Sequence, residues 1–421
     1  MNPLSAAAWV AALFLAANLF PHSIALRLTM LALGLALVAF ELARAKLAGR
    51  PAGVQALPPL LVPILLWAAW AALSILWSVE PDRSMKEYKN EVVYVFLGYW
   101  LCWVAAQAPG ARRAFGIVLG AGAALICFIG LYGYLSPMDH LWIERLTSGP
   151  GDQSSALLTL MPLVLIAIWL ARAEKASPSL QRALWALPIL MLAAAYATLN
   201  RTVWIGFAVE LVVMGALLLP RAEFSGIRTL ARFRLLAAAL AVAIVTATTA
   251  VIVHVQQQRS TLGTFSTLKK DWRLELWPYV IKKIEERPLL GFGFGRGIER
   301  DSLHEEFDEG NLWHAHNIVL DTAVQLGLVG AVLLALLLGS TAWRAWRLVR
   351  GFDSLAACYG AALIAVIAGN LVRNMTDVLL VRQNALLYWG MVGALLAWCD
   401  IRRRPAAGSP RRSASTRVSS A

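Results

Sequence analysis

Three short segments hold most of the residues that could do chemistry. The first is Thr198-Leu199-Asn200-Arg201-Thr202-Val203-Trp204-Ile205-Gly206, which sets an arginine in a tight turn between two apolar stretches. A charge at the edge of hydrocarbon is costly and usually faces a cavity or a partner, although a long side chain snorkelling to the interface would read the same way. The second begins Asp271-Trp272-Arg273-Leu274-Glu275-Leu276-Trp277 and ends Arg287-Pro288-Leu289-Leu290-Gly291-Phe292-Gly293-Phe294-Gly295-Arg296-Gly297. Alternating glycines let backbone approach a ligand closely, and exposed amides in such a loop can cradle an anion; a flexible turn would share the composition. It is not a nucleotide loop, because it lacks both Gly-Lys-Ser/Thr and the third glycine of Gly-x-Gly-x-x-Gly. The third is Trp313-His314-Ala315-His316-Asn317-Ile318-Val319-Leu320-Asp321, followed by Gly327 and Gly330. A neutral imidazole accepts a proton near pH 7 and can serve as a general base; a histidine satisfied at a helix end is the bland alternative. With His304 upstream, three of the six histidines fall close together, which brings metal to mind. His-x-His lacks the helical His/Glu spacing of a hydrolytic zinc site, so no metal is expected. Gly327 and Gly330 lie one turn apart and suit close helix packing.

The elements that must position these segments are membrane helices. The chain has 421 residues, 59% hydrophobic and 15% charged, with mean hydropathy +0.63. A soluble domain carries about 45–50% apolar and about 25% charged residues. A disordered chain, a disulfide scaffold and an ordinary cytosolic enzyme are thereby excluded. The apolar residues come in blocks of about 20, the length that crosses about 30 Å of hydrocarbon as helix. The expected fold is an all-α polytopic membrane protein with about 12 transmembrane helices, at 4–20, 23–43, 57–77, 92–108, 113–135, 154–171, 184–199, 202–220, 235–255, 316–339, 355–371 and 385–400. No Lys or Arg precedes the first apolar run, so it reads as a transmembrane helix and not as a cleaved signal peptide. Cys102, Cys127, Cys358 and Cys399 all lie in apolar stretches and read as small core residues without a disulfide.

The net charge of +13 does not point to nucleic acid, because position matters more than the sum. Basic residues concentrate in the short loops around Arg44, Arg112, Arg172, Arg221 and Arg344 and in the tail, while acids concentrate in the alternate loops. The positive-inside rule then puts both termini in the cytoplasm. The organisation expected is helices 1–9 over 1–255, an outer loop over 256–315, helices 10–12 over 316–400 and a basic disordered tail over 401–421. The outer loop holds an amphipathic helix, with Leu274, Trp277, Ile281 and Ile284 at helical spacing, expected to lie over the membrane surface.

Together and in this order, the three segments resemble the O-antigen ligase / O-antigen polymerase superfamily of bacterial membrane glycosyltransferases. The resemblance runs over roughly 60–400 and is most specific from Thr198 to Gly330. It is carried by Asn200-Arg201-Thr202-Val203-Trp204-Ile205-Gly206, by Arg273 and Trp277 leading to Pro288, Gly291, Gly293 and Gly295, and by His316-Asn317, nine residues, then Gly327 and Gly330. Asn200 stands where Ser is commoner in the family. The last pattern is nearer the ligase branch, and polymerases share much of it.

The resemblance implies an inner-membrane, GT-C-like enzyme with a periplasmic active site. Its donor would be O-antigen on undecaprenyl pyrophosphate and its acceptor a sugar hydroxyl of lipid A–core, with no cofactor, metal or ATP. His316 would be the base of an inverting displacement. Arg201 and Arg273 would hold the pyrophosphate, with Arg296, His314, Asn317, Asp377, Gly293 and Gly295 as further substrate-binding candidates. Both substrates are lipids, which implies a lateral cleft in contact with membrane lipid, and Trp142, Trp272, Trp277, Phe292 and Phe294 could line a sugar path. The sequence leaves oligomeric state open. A lipid-linked glycan transporter is the rival class, and buried charge at Arg27 and Glu210 suits it; no two-fold repeat with matching broken helices supports it.

Overall fold

The structure is a computed structural model. It describes all residues except 1, 21, 52, 136–149, 199, 222–272, 308–311, 379 and 403–421. Span nine, Trp142, Trp272 and most of the basic tail lie outside the described residues.

The described residues form helices and no strand. These are α1 (Pro3–Ala17), α2 (Ile24–Leu47), α3 (Leu61–Leu73), α4 (Pro81–Tyr88), α5 (Tyr94–Ala105), α6 (Ala111–Leu135), α7 (Pro150–Ala173) and α8 (Pro178–Ala197). They continue as α9 (Arg201–Leu218), α10 (Arg273–Glu286), α11 (Arg300–Phe307), α12 (Ile318–Val349), α13 (Ser354–Asn374) and α14 (Arg382–Arg402). Their starts follow from short polar caps. Asn2, Ser177, Asn200 and Asp353 each accept a hydrogen bond from a first-turn amide, and Pro3 and Pro178 follow two of them.

Six of these helices, α2, α6, α7, α8, α12 and α13, are long and apolar enough to cross a membrane. Pro3–Ala17, Leu61–Trp77 and Thr202–Leu218 are shorter apolar helices. The chain is a polytopic helical membrane protein; the expected count of twelve exceeds these six.

Small residues let the interior helices meet closely, which is how helices associate where lipid removes the hydrophobic drive. α9 packs along α13 and α5 along α14. A side chain at Gly206 would meet Leu158 and the Gly369 carbonyl, and one at Gly393 would meet the Tyr99 backbone. All four cysteines are buried. Two smaller clusters sit at the end of the bundle where α12 begins. Leu276, Val280, Leu303, Leu312, Ala315 and Val324 join α10 and α11 to α12. Ala71, Phe294 and Leu326 join α3, the glycine loop and α12.

The amphipathic helix exists, with a different inner face from the one expected. Leu276 and Val280 are its fully buried residues, Trp277 and Ile284 pack beside them, and Leu274 and Ile281 are exposed. The periodic stripe splits because α10 is covered by α11 and the histidine loop on one side only. At the other end of the bundle lie the ion pairs of Glu41 with Arg44 and Arg50, and of Arg344 with Asp400.

Candidate active site

The glycine loop and the histidine loop are both built on a break in α12. Gly327 lies inside that helix at φ 68°, ψ −176°. The break turns the carbonyls of Val324 and Gln325 away from the helical ladder. They accept instead from Phe292 N (2.9 Å) and Gly293 N (2.9 Å), and Leu328 N donates to the Pro288 carbonyl (2.8 Å). A Cβ on Gly327 would overlap the Leu289 carbonyl, and its φ is one that L side chains rarely adopt. The spacing from His316-Asn317 to Gly327 is therefore the distance from a helix cap, Asn317, to the docking point of the glycine loop.

We expect Gly327→Ala to cost about 1–3 kcal/mol from backbone strain alone, with the overlap adding to it. Thermal melting in detergent, together with protease cleavage within 287–297, checks this. Wild-type values of both would contradict the docking.

This docking also corrects the expected anion cradle. The amides of Gly291, Phe292, Gly293, Phe294 and Gly295 donate to Arg287 O, Val324 O, Gln325 O, Ser74 Oγ and Gln325 Oε1. They are spent on attachment. The loop instead presents Arg296, which is half-buried, while Phe294 is packed against Trp67 and Tyr88.

His316 lies two residues before α12. Asn317 caps that helix, accepting from Val319 N (3.0 Å) and Leu320 N (3.2 Å), and its Nδ2 donates to the Met375 carbonyl (3.2 Å). One side chain thus ties the histidine loop to the turn after α13. His316 adopts φ 48°, left-handed for a residue with a Cβ. Its amide donates to His314 Nδ1 (3.1 Å), which leaves Nε2 as the protonated nitrogen of His314. Trp277 Nε1 donates to the Ala315 carbonyl (3.1 Å), fastening α10 to the peptide between the two histidines. Trp277 is thus an anchor, as interfacial tryptophans commonly are.

Asp377 lies against both rings. Its Oδ1 is 3.1 Å from His316 Nδ1 and 3.8 Å from His314 Nε2. Its Oδ2 is 3.3 Å from the guanidinium of Arg373. Arg373 is buried, and its Nε donates to Ser154 Oγ on α7 (3.1 Å). Sequence reasoning missed Arg373. An Arg four residues before an Asp at a helix end was the available signal.

Burial alone would raise the Asp377 carboxyl, but the hydrogen bond and charge of His316 and the charge of Arg373 outweigh it and hold it well below the usual carboxylate range. Burial, with the charges of His316 and Arg296, pushes His314 down to about 3. An unfolded histidine protonates near pH 6.5. Between those values the unfolded chain binds a proton that folded His314 refuses, so stability falls as pH drops. Asp377 adds to the fall in acid, because its contribution is lost as it becomes protonated. Melting temperature in detergent should decrease from pH 7 to pH 5, and less steeply for His314→Asn. Equal slopes for the two proteins would exclude His314 as a source of the decrease.

Arg273 opens α10 and is half-buried, one turn before Trp277 and so on the same helix face. Arg201 opens α9 at this same end of the bundle, since α7 leaves that end and α8 returns to it; its side chain lies outside the described residues. His304 is in α11, apart from the other two histidines.

Ligand atoms of His314, His316 and Asp377 lie within 4.8 Å of one another, so the trio could meet a metal ion by distance. Its chemistry fits poorly. The Arg373 guanidinium occupies the other oxygen of the carboxylate, and the positive charge of Arg296 bears on His314, both opposing a dication.

Beside the site is an open cavity with about 1020 Å³ of empty space. Trp67, Val95, Phe96, Leu334, Leu337 and Trp389 give it an apolar wall, while Glu91, Arg296 and Asp321 supply the charged lining. Ile318 and Val378, next to Asn317 and Asp377 in sequence, also line it.

A polytopic helical protein with a His–Asp–Arg site beside an apolar cavity is the class that fold and site define. Residues 186–335 match the family model described as O-antigen ligase. The chain is also similar to proteins named "Putative polysaccharide ligase" from Rickettsia felis, 23% identical over 282 residues, and Rickettsia bellii, 24% identical over 276 residues. A similarly named protein of Rickettsia conorii is 23% identical over 285 residues. Each match covers 64% of this chain and 64% of the relative, so the chain spans about 64% of the length of these curated relatives. Both comparisons support the O-antigen ligase superfamily, the resemblance that the motifs carry.

Proposed function

We propose that the protein is an O-antigen ligase. It transfers a glycan from undecaprenyl pyrophosphate to a sugar hydroxyl of lipid A–core, on the periplasmic face of the inner membrane, with both termini cytoplasmic. The observation that carries this is His316 Nδ1 at 3.1 Å from Asp377 Oδ1, beside an apolar cavity. With Asp377 beside Nδ1, Nε2 is the nitrogen that this reading assigns to accept the proton.

His316 takes the proton from the acceptor hydroxyl as its oxygen attacks the anomeric carbon. The new glycosidic C–O bond forms as the bond from that carbon to the pyrophosphate oxygen breaks, and the electron pair leaves on the pyrophosphate. A single direct displacement inverts the anomeric centre. Arg201 and Arg273 hold the pyrophosphate, whose paired oxygens match the guanidinium fork, and Arg296 reaches it from the glycine loop. Gly293 and Gly295 act through the shape of that loop, and Asn317 by fixing the loop that carries His316. The apolar cavity accommodates lipid chain. Basic residues at the opposite end of the bundle support the orientation. The donor is already activated, so no ATP is needed, and Arg201 and Arg273 take the part a metal could play at the pyrophosphate.

The test incubates purified protein in detergent with undecaprenyl-pyrophosphate-linked O-antigen and lipid A–core, with EDTA and without nucleotide. A glycan ladder on lipid A–core is expected. A lengthened polyprenyl-linked glycan with untouched lipid A–core would make the protein a polymerase. Movement of the lipid-linked glycan across vesicles, without new linkages, would make it a transporter.

A further inference from the structure

We propose that Asp321 and Gln325 form a polarity-specific clamp that positions His316 by fastening the histidine loop to the glycine loop. The proposal rests on the reading that His316 is the base. Asp321 and Gln325 are one turn apart on α12, and both side chains are buried. Asp321 Oδ1 accepts from Ala315 N (3.2 Å), the amide between the two histidines. Asp321 Oδ2 accepts from Gln325 Nε2 (2.7 Å), and Gln325 Oε1 accepts from Gly295 N (3.0 Å). The line therefore runs from one loop's amide to the other's through two side chains and no other group.

The polarity of that line is fixed. Two backbone donors stand at its ends, so the pair between them must offer an acceptor to each end and one donor–acceptor contact within. A carboxylate with an amide meets this requirement. Two amides do not, because whichever way they turn one donor faces another, and two carboxyl groups do so only while they share a proton. A buried polar line with one mismatch is worse than none. Ala315 N and the Ala315 carbonyl are held on opposite sides, by Asp321 and Trp277, so the peptide leading into the left-handed His316 has a single orientation. Neither Asp321 nor Gln325 need touch a reacting atom; each is a positioning residue.

The same requirement supplies the test. Asp321→Asn sets an amide against Gln325 and breaks the line; Gln325→Glu sets a second carboxyl against Asp321 and keeps the line only while the two share a proton, so its defect grows as pH rises. The double variant restores it with the polarity of the middle contact reversed, since the new amide donates to the new carboxylate while both end acceptors remain. Asp321→Asn should lose roughly 10–100-fold in kcat, the scale of a small misplacement of a reacting group, with KM near the wild-type value, and Gln325→Glu should approach that loss as pH rises. Amide hydrogen exchange in 291–297 and 312–320 should quicken in both. The double variant should recover kcat and exchange together.

A double variant as impaired in both readouts as the worse single variant would overturn the clamp, as would single variants with wild-type exchange and turnover. If either single variant fails to fold, a folded double variant with slow exchange upholds the clamp and an unfolded one overturns it. His316→Ala is run alongside. If it keeps activity, the reading of His316 as base fails, and the exchange data still decide the clamp.

Discussion

His316→Ala is expected to lower kcat by about 10²–10⁴-fold, the contribution of a positioned general base. That range corresponds to about 3–5 kcal/mol of transition-state stabilisation. KM should change little, because the imidazole acts on a proton that moves only in the transition state. Folding should survive, since His316 is a partly exposed loop residue whose neighbour Asn317 supplies the helix cap. Steady-state kinetics on monodisperse protein check the split between kcat and KM. A raised KM with normal kcat would make His316 a binding group. Asp377→Asn should be milder, because it removes the neighbouring carboxylate charge and leaves the base in place.

Arg273→Ala carries the second large effect, about 10²–10³-fold in kcat, as for loss of one preorganised donor to a developing oxyanion. Arg273 shares a helix face with Trp277, whose indole holds the Ala315 carbonyl, so its helix is fastened to the loop that carries the base. That fastening is what allows a guanidinium on a separate helix to keep its place while charge builds on the pyrophosphate. Arg273→Lys should recover only part of the loss, since a point charge replaces a two-pronged donor. Full recovery by lysine would mean that charge alone is needed. No loss in either variant would remove Arg273 from the leaving-group site.

Much of this was legible in the sequence as pattern, and less of it as cause. Apolar blocks announced the helices. Asn200 and Asn317 could be placed at helix starts, although the second role of Asn317, its bond to the Met375 carbonyl, depends on a turn 58 residues away. The interval from His316 to Gly327 was visible as a string. Its meaning was not, because the break at Gly327 matters only through the carbonyls it frees and the loop that binds them. The expected anion cradle failed for the same reason: amides that look available in a glycine-rich stretch were already taken by Val324, Gln325 and Ser74. On α10, periodicity found an amphipathic helix but not which apolar residues face inward, because Leu274 and Leu276 fit different stripes and only the covering elements choose between them. Arg373 went unread in the sequence because its partners, Asp377 and Ser154, are set against it only by the fold.

The central claim is a single displacement driven by one base. Its most direct measurement is the anomeric configuration of the newly formed linkage, read by NMR on product made by purified protein from a donor of known α configuration. The account predicts a β linkage in the product. A retained α linkage would exclude a single inverting displacement and contradict the role of His316 as its base.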